Sequence, residues 1–104
     1  MELNVKERLI LMGLLPRETN FTTLKLMRKL REELSFSEEE HKVLKFRQEG
    51  QQMFWDQDVP IVKDVRVGDL MNELIISELK KLDKDNKLTE DHFSLFEKFV
   101  ENAT

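Results

Sequence analysis

QQMFWDQDVPIVKDVRV, residues 51–67, decides whether this chain is all-helical or mixed. Here the spacing of apolar residues changes from helical to alternating. Met53 and Trp55 share one side with Gln57 at its end, while Phe54, Asp56 and Asp58 take the other. Beyond Pro60, residues Ile61, Val65 and Val67 share a face that Lys63 interrupts. The stretch therefore predicts two short antiparallel strands joined near residues 57–60. A two-stranded ribbon is marginal by itself, so this one must lean on its surroundings.

Those surroundings read as helices. Asn4 with Glu7 three residues on forms a capping-box pattern that opens a first helix, along which Val5, Leu9 and Met12 recur; Gly13 and Pro16 are its stop signals. The second helix covers about residues 21–34, with Leu24, Met27, Leu30 and Leu34 in one stripe and Lys25, Arg28, Lys29 and Glu32 opposite. Ser37 caps a third helix whose first turn holds Glu38 to Glu40, and this helix is predicted to end near Gly50. A fourth opens at Asp69 and carries Leu70, Met71, Leu74, Ile75, Leu79 and Leu82. The fifth is capped by Thr89, with Phe93, Phe96, Phe99 and Val100 on one side. The expected fold is one helix-dominated α+β domain over residues 1–104, with about five helices and one short antiparallel ribbon.

Composition agrees with a folded domain and removes several chemistries. A chain of 104 residues with 39% hydrophobic and 37% charged residues can bury one modest core. It contains no cysteine, which excludes disulfides, thiolate metal sites and thiol nucleophiles and favours an intracellular, cytoplasmic setting. The apolar run Leu9 to Leu15 follows charges at Glu2, Lys6, Glu7 and Arg8, so it reads as an amphipathic helix and not as a signal peptide. No stretch approaches the ~20 apolar residues of a membrane-spanning helix.

The nearest approach to a named site is LDKDNKLTEDHF, residues 82–93, which has the outline of a calcium-binding loop. Counted from Asp83, the oxygen ligands at positions 1 and 3 are Asp83 and Asp85, but position 5 is Lys87 and position 12 is Ser94. Shortening the loop by two residues to bring Leu88 into register puts His92 where a bidentate glutamate belongs. The acids are read as structural, and no metal or other cofactor is expected. His41 and His92 each sit early in a predicted helix, and no zinc, nucleophile-elbow or phosphate-loop motif accompanies them, so the chain is not read as an enzyme and no small-molecule ligand is predicted.

Charge is uneven. Residues 1–31 carry a net of +4 and the remainder a net of −8, within an overall −4. Lys25, Arg28 and Lys29 on the second helix are the candidate nucleic-acid contacts. Arg28 with Glu32 and Lys29 with Glu33 are spaced to neutralise one another, however, which favours a solvated face. Three helices followed by a strand pair is also the winged-helix order, but the third helix would meet phosphates with three glutamates. Phe54 and Ile76 fall off the main apolar faces, and Trp55 sits beside Asp56 and Asp58. These three are the candidate interface residues.

The stretches LMRKLREELSFSEEEHKVL (26–44) and LTEDHFSLFEKFVE (88–101) resemble small uncharacterised proteins carried in phage and prophage genomes. The resemblance implies a binder of host or virion proteins more readily than an enzyme, acting in the host cell. It brings no site residues with it. The reading is a non-enzymatic protein-interaction module, with a second copy of the chain among its candidate partners. The alternative is a small nucleic-acid-binding regulator.

Overall fold

The computed structural model describes residues 1–101. In chain order the elements are β1 (Glu2–Asn4), α1 (Val5–Leu14), α2 (Phe21–Leu34), α3 (Glu38–Leu44), β2 (Arg47–Glu49), β3 (Gln52–Phe54), β4 (Val62–Asp64), α4 (Asp69–Lys84) and α5 (Glu90–Phe96), the last running into a π-helical turn, Glu97–Glu101. The fold is α+β and helix-dominated, with five helices as the spacing predicts.

Helices α1 and α4 touch each other at the centre. Helix α2 packs on both from one side, and α5 with its π-helical turn packs on both from the other. The core runs through that stack: Leu11 from α1, Met27, Leu30 and Leu34 from α2, Ile75 and Leu79 from α4, and Leu95 and Phe99 from the last segment. Each contributes about 1.5–3 kcal/mol by leaving water. Phe93, expected on the inner side of α5, is instead 61% exposed. Leu95 of α5 and Phe99 of the wider π-helical turn take the inward positions.

The single ribbon expected over residues 51–67 resolves into two sheets. Strand β3 pairs backwards with β2, Arg47 opposite Phe54 and Glu49 opposite Gln52, while β4 pairs with β1, Leu3 opposite Lys63. Two local facts decide this. Gly50 adopts φ +63°, the conformation that makes Gly50–Gln51 a two-residue hairpin turn of type II′. Helix α3 also ends early, because Lys45 enters the left-handed region (φ 50°, ψ 58°) and its amide bonds the His41 carbonyl (3.1 Å), which releases residues 47–49 to form a strand. Strand β4 then docks on β1, where fully buried Leu3 and Val65 seal one end of the core.

Two helix ends also differ from the reading. Gly13 is helical, and Leu15, before Pro16, is the extended residue that stops α1. Gly68, not Asp69, precedes the first helical residue of α4. The end of α4 is a Schellman motif: Asn86 sits at φ 57°, its amide bonds the Asp83 carbonyl (3.1 Å), and the Lys87 amide bonds the Leu82 carbonyl (2.8 Å). Asparagine tolerates this conformation and a β-branched residue does not. Asn86→Val is therefore expected to lose about 1–2 kcal/mol in a thermal melt, with Asn86→Gly close to the parent; equal midpoints for the two would contradict the assignment.

Two charges on α1 are taken inside. Arg8 is fully buried: Nε donates to the Leu34 carbonyl (3.2 Å), Nη2 to the Ser35 carbonyl, and the guanidinium grips both oxygens of Glu40 (2.6 and 3.3 Å). One side chain thus closes the end of α2 and fastens the start of α3. The Arg8 hydrogen bond holds the Glu40 carboxyl down at about 2 against the opposing effect of burial, and the Ser37 amide assists. Glu7, 2% exposed, accepts from the Asn4 amide (2.9 Å) and from Lys98 Nζ (2.7 Å), which joins α1 to the π-helical turn. Burial raises the Glu7 carboxyl, but hydrogen bonding to Lys98 and to the Asn4 amide outweighs it and leaves the group below its ordinary value. The second Glu7 oxygen has no hydrogen-bond partner among the described residues.

Candidate interaction surface

The β2–β3 hairpin stands away from the core. All three β2 residues and Gln52 and Met53 of β3 are exposed, and no helix packs substantially against the strands. It is tied down at its base, where the Asp56 amide bonds the Leu44 carbonyl (2.7 Å) and Trp55 meets the Phe46 ring, centroids 6.3 Å apart. Phe46 in turn lies edge-on to Phe36 (4.9 Å), and the Arg8 guanidinium stacks on Phe36 at 3.9 Å. A continuous line of aromatic contacts therefore runs from the buried arginine to the tryptophan at the hairpin's root.

Trp55 is half-buried and borders three shallow concavities of about 360, 450 and 400 Å³, formed with the 56–61 loop, with Lys45 and Arg47, and with Leu9 and Ile10 of α1. Among the described residues its indole N–H has no hydrogen-bond partner. Large aromatics with one polar tip unengaged at a surface are favoured anchors for another protein. In a hairpin closed by two residues, Glu49 and Gln52 form the hydrogen-bonded pair, so the Gln48–Met53 pair turns its backbone groups outward. The Met53 N–H and C=O thus face out from β3 as an open edge, beside a Met53 side chain that is 42% exposed.

The candidate residues divide. Phe54 and Trp55 lie together at the hairpin base, both half-buried. Ile76 is elsewhere, packed half-buried against the core on α4, and takes no part in this surface. Lys25, Arg28 and Lys29 are exposed on α2, and the expected neutralisation is not seen: among the described residues none of them has a carboxylate within 4.0 Å. Lys25 instead lies 5.7 Å over the ring of Phe21, which is 74% exposed. Asp83 and Asp85 belong to the α4 terminus described above. Among the described residues no three acidic or histidine side chains converge as metal ligands. His92 is used locally, accepting at Nδ1 from the Thr89 amide (3.0 Å).

A further concavity, about 590 Å³, lies between α2 and the start of α4 and is lined by Leu26, Leu30, Leu70 and Met71 with Lys29 and Arg66. Sequence pattern does not reveal it, because its two walls come from segments about forty residues apart. Among the described residues no helix is long and apolar enough to cross a membrane. Comparison of the chain with protein-family models, curated proteins and solved structures returns no match.

Proposed function

We propose that this chain is a non-enzymatic protein-interaction module that takes an extended segment of a partner protein onto the outer edge of β3. The observation that carries the proposal is the hairpin itself: two three-residue strands with open edges, held from one end by Trp55 and, among the described residues, with no helix packed substantially against them. Ribbons of this size gain little stability alone, whereas an added strand would satisfy the outward backbone groups of Met53 and cover Trp55. The resemblance to phage and prophage proteins makes a host or virion protein the proposed partner, met in the cytoplasm of the host cell.

Met53→Pro is the selective test. It removes the outward N–H while leaving the internal hydrogen bonds of the hairpin in place. A partner recovered on the immobilised parent chain is expected to be lost at least tenfold on Met53→Pro and retained on Leu70→Ser, which alters the α2–α4 concavity. Equal retention on Met53→Pro would remove the proposal.

A second reading, nucleic-acid contact through Lys25, Arg28 and Lys29, is favoured by one observation: among the described residues these cations have no carboxylate within 4.0 Å, and Lys25 lies over the exposed ring of Phe21. A duplex shifted at low salt and released steeply as salt rises would support it, and no shift at low salt would end it.

A further inference from the structure

The basic face of α2 has a counterpart on the far side of the molecule. Along α2, Phe21, Lys25, Arg28 and Lys29 fall at i, i+4, i+7 and i+8, all exposed. Along α5 and the π-helical turn, Glu90, Phe93, Glu97 and Glu101 follow at intervals of three, four and four, again all exposed. Among the described residues none of Glu90, Glu97 and Glu101 has a basic partner within 4.0 Å. On the acidic side, Asp91 pairs with Lys6 (2.7 Å) and Lys98 turns inward to Glu7 (2.7 Å); on α2 the exposed acids Glu32 and Glu33 bound the basic stripe at its C-terminal end. Each stripe is thus three like charges around one exposed phenylalanine, and the signs are opposite.

We infer that the outer face of α2 in one copy of this chain docks on the outer face of α5 and its π-helical turn in a second copy. The match is one of charge and of length, since about 12 Å of α2 faces about 16 Å of the acidic stripe at 1.5 Å per residue. A phosphate backbone would satisfy the cations but would leave the acidic stripe and Phe93 without a partner. The fold also dictates the symmetry. Because α2 and α5 each pack on α1 and α4, the two stripes belong to separate outer faces, and a contact that joins unlike faces is head-to-tail. Assembly therefore continues into an open chain or a ring. The patches are small and charged, so the association is transient and screened by salt.

This inference rests on reading the chain as an interaction module but uses faces remote from the hairpin, so Met53→Pro leaves it intact and either reading can fail alone. The test is solution mass by sedimentation as a function of protein concentration, at low and high salt. At low salt the average mass is expected to rise with concentration to at least twice the monomer, and to return to the monomer at high salt. The triple reversal Lys25→Glu, Arg28→Glu, Lys29→Glu and the double reversal Glu90→Lys, Glu97→Lys are each expected to stay monomeric. Mixing the two makes each basic face meet an acidic one again, and association returns. A monomer at every concentration in low salt, or reversals that associate as the parent does, would overturn the inference. So would a duplex that binds at α2 while the mass is untouched by either reversal. The salt arm uses the unaltered chain and decides the matter even where a variant does not fold.

Discussion

Arg8→Ala is expected to lose about 3–5 kcal/mol of folding stability, the range for breaking a buried charge pair by removing one member. The substitution strands the Leu34 and Ser35 carbonyls at the end of α2, removes the cation paired with Glu40 and opens a cavity beside Phe36. Against the 5–15 kcal/mol that holds a domain of this size together, that is a large fraction. Arg8→Lys is expected to recover little of the loss, because a point charge cannot span two carbonyls and two carboxylate oxygens together. The chain has one tryptophan and no tyrosine, so urea unfolding followed by fluorescence reports on Trp55 alone. A loss below about 1 kcal/mol would show that the arginine is not a structural tie.

Acid is expected to undo the same tie from the other partner. Glu40 is held at about 2 against an ordinary 4.5. A carboxyl depressed in the folded state stabilises it above the unfolded value and loses that contribution as pH falls toward the folded one. Between about pH 5 and pH 2 the chain should therefore lose roughly 2–3 kcal/mol from Glu40, the lower end allowing for the fifth of its side chain that water reaches. Glu7 acts in the same direction. Urea midpoints taken at pH 7, 5, 3 and 2 check this, with Glu40→Gln expected to give a lower but flatter profile. A parent midpoint constant down to pH 3 would contradict it.

Much of the helical frame was legible in the sequence because it rests on period and caps. The Asn4–Glu7 and Ser37–Glu40 boxes form as their spacing implies, and the stripe Met27, Leu30, Leu34 is buried. The sheets were less legible. Strand β2 carries no apolar alternation, since Arg47, Gln48 and Glu49 are all exposed, and the lysine that ends α3 in a left-handed conformation gives no glycine-like stop signal. Partner choice between strands depends on tertiary burial of Leu3 and Val65, which pattern alone does not encode.

The candidate surface was half legible. Phe54 and Trp55 stood out as aromatics in a short strand. Ile76 looked displaced only because a broad apolar helix face was drawn too narrowly, and the core reaches it. The unpaired state of Lys25, Arg28 and Lys29 ran against their spacing: i, i+4 proximity permits ion pairs worth only a few tenths of a kcal/mol, too little to fix flexible side chains. Arg8 was hidden for a different reason. A charged residue within a polar run reads as solvent-facing, and only the convergence of α1, the α2–α3 turn and Glu40 makes its burial affordable.

The open edge of β3 is the centre of this account, and amide hydrogen exchange at Met53 tests it most directly. In the free chain the Met53 amide is expected to exchange rapidly while the cross-strand amides of Gln52 and Phe54 exchange more slowly. With the partner retained by the parent chain and lost on Met53→Pro, protection is expected to appear at Met53 itself. Protection that appears along α2 or the α2–α4 concavity while Met53 continues to exchange freely would contradict the account.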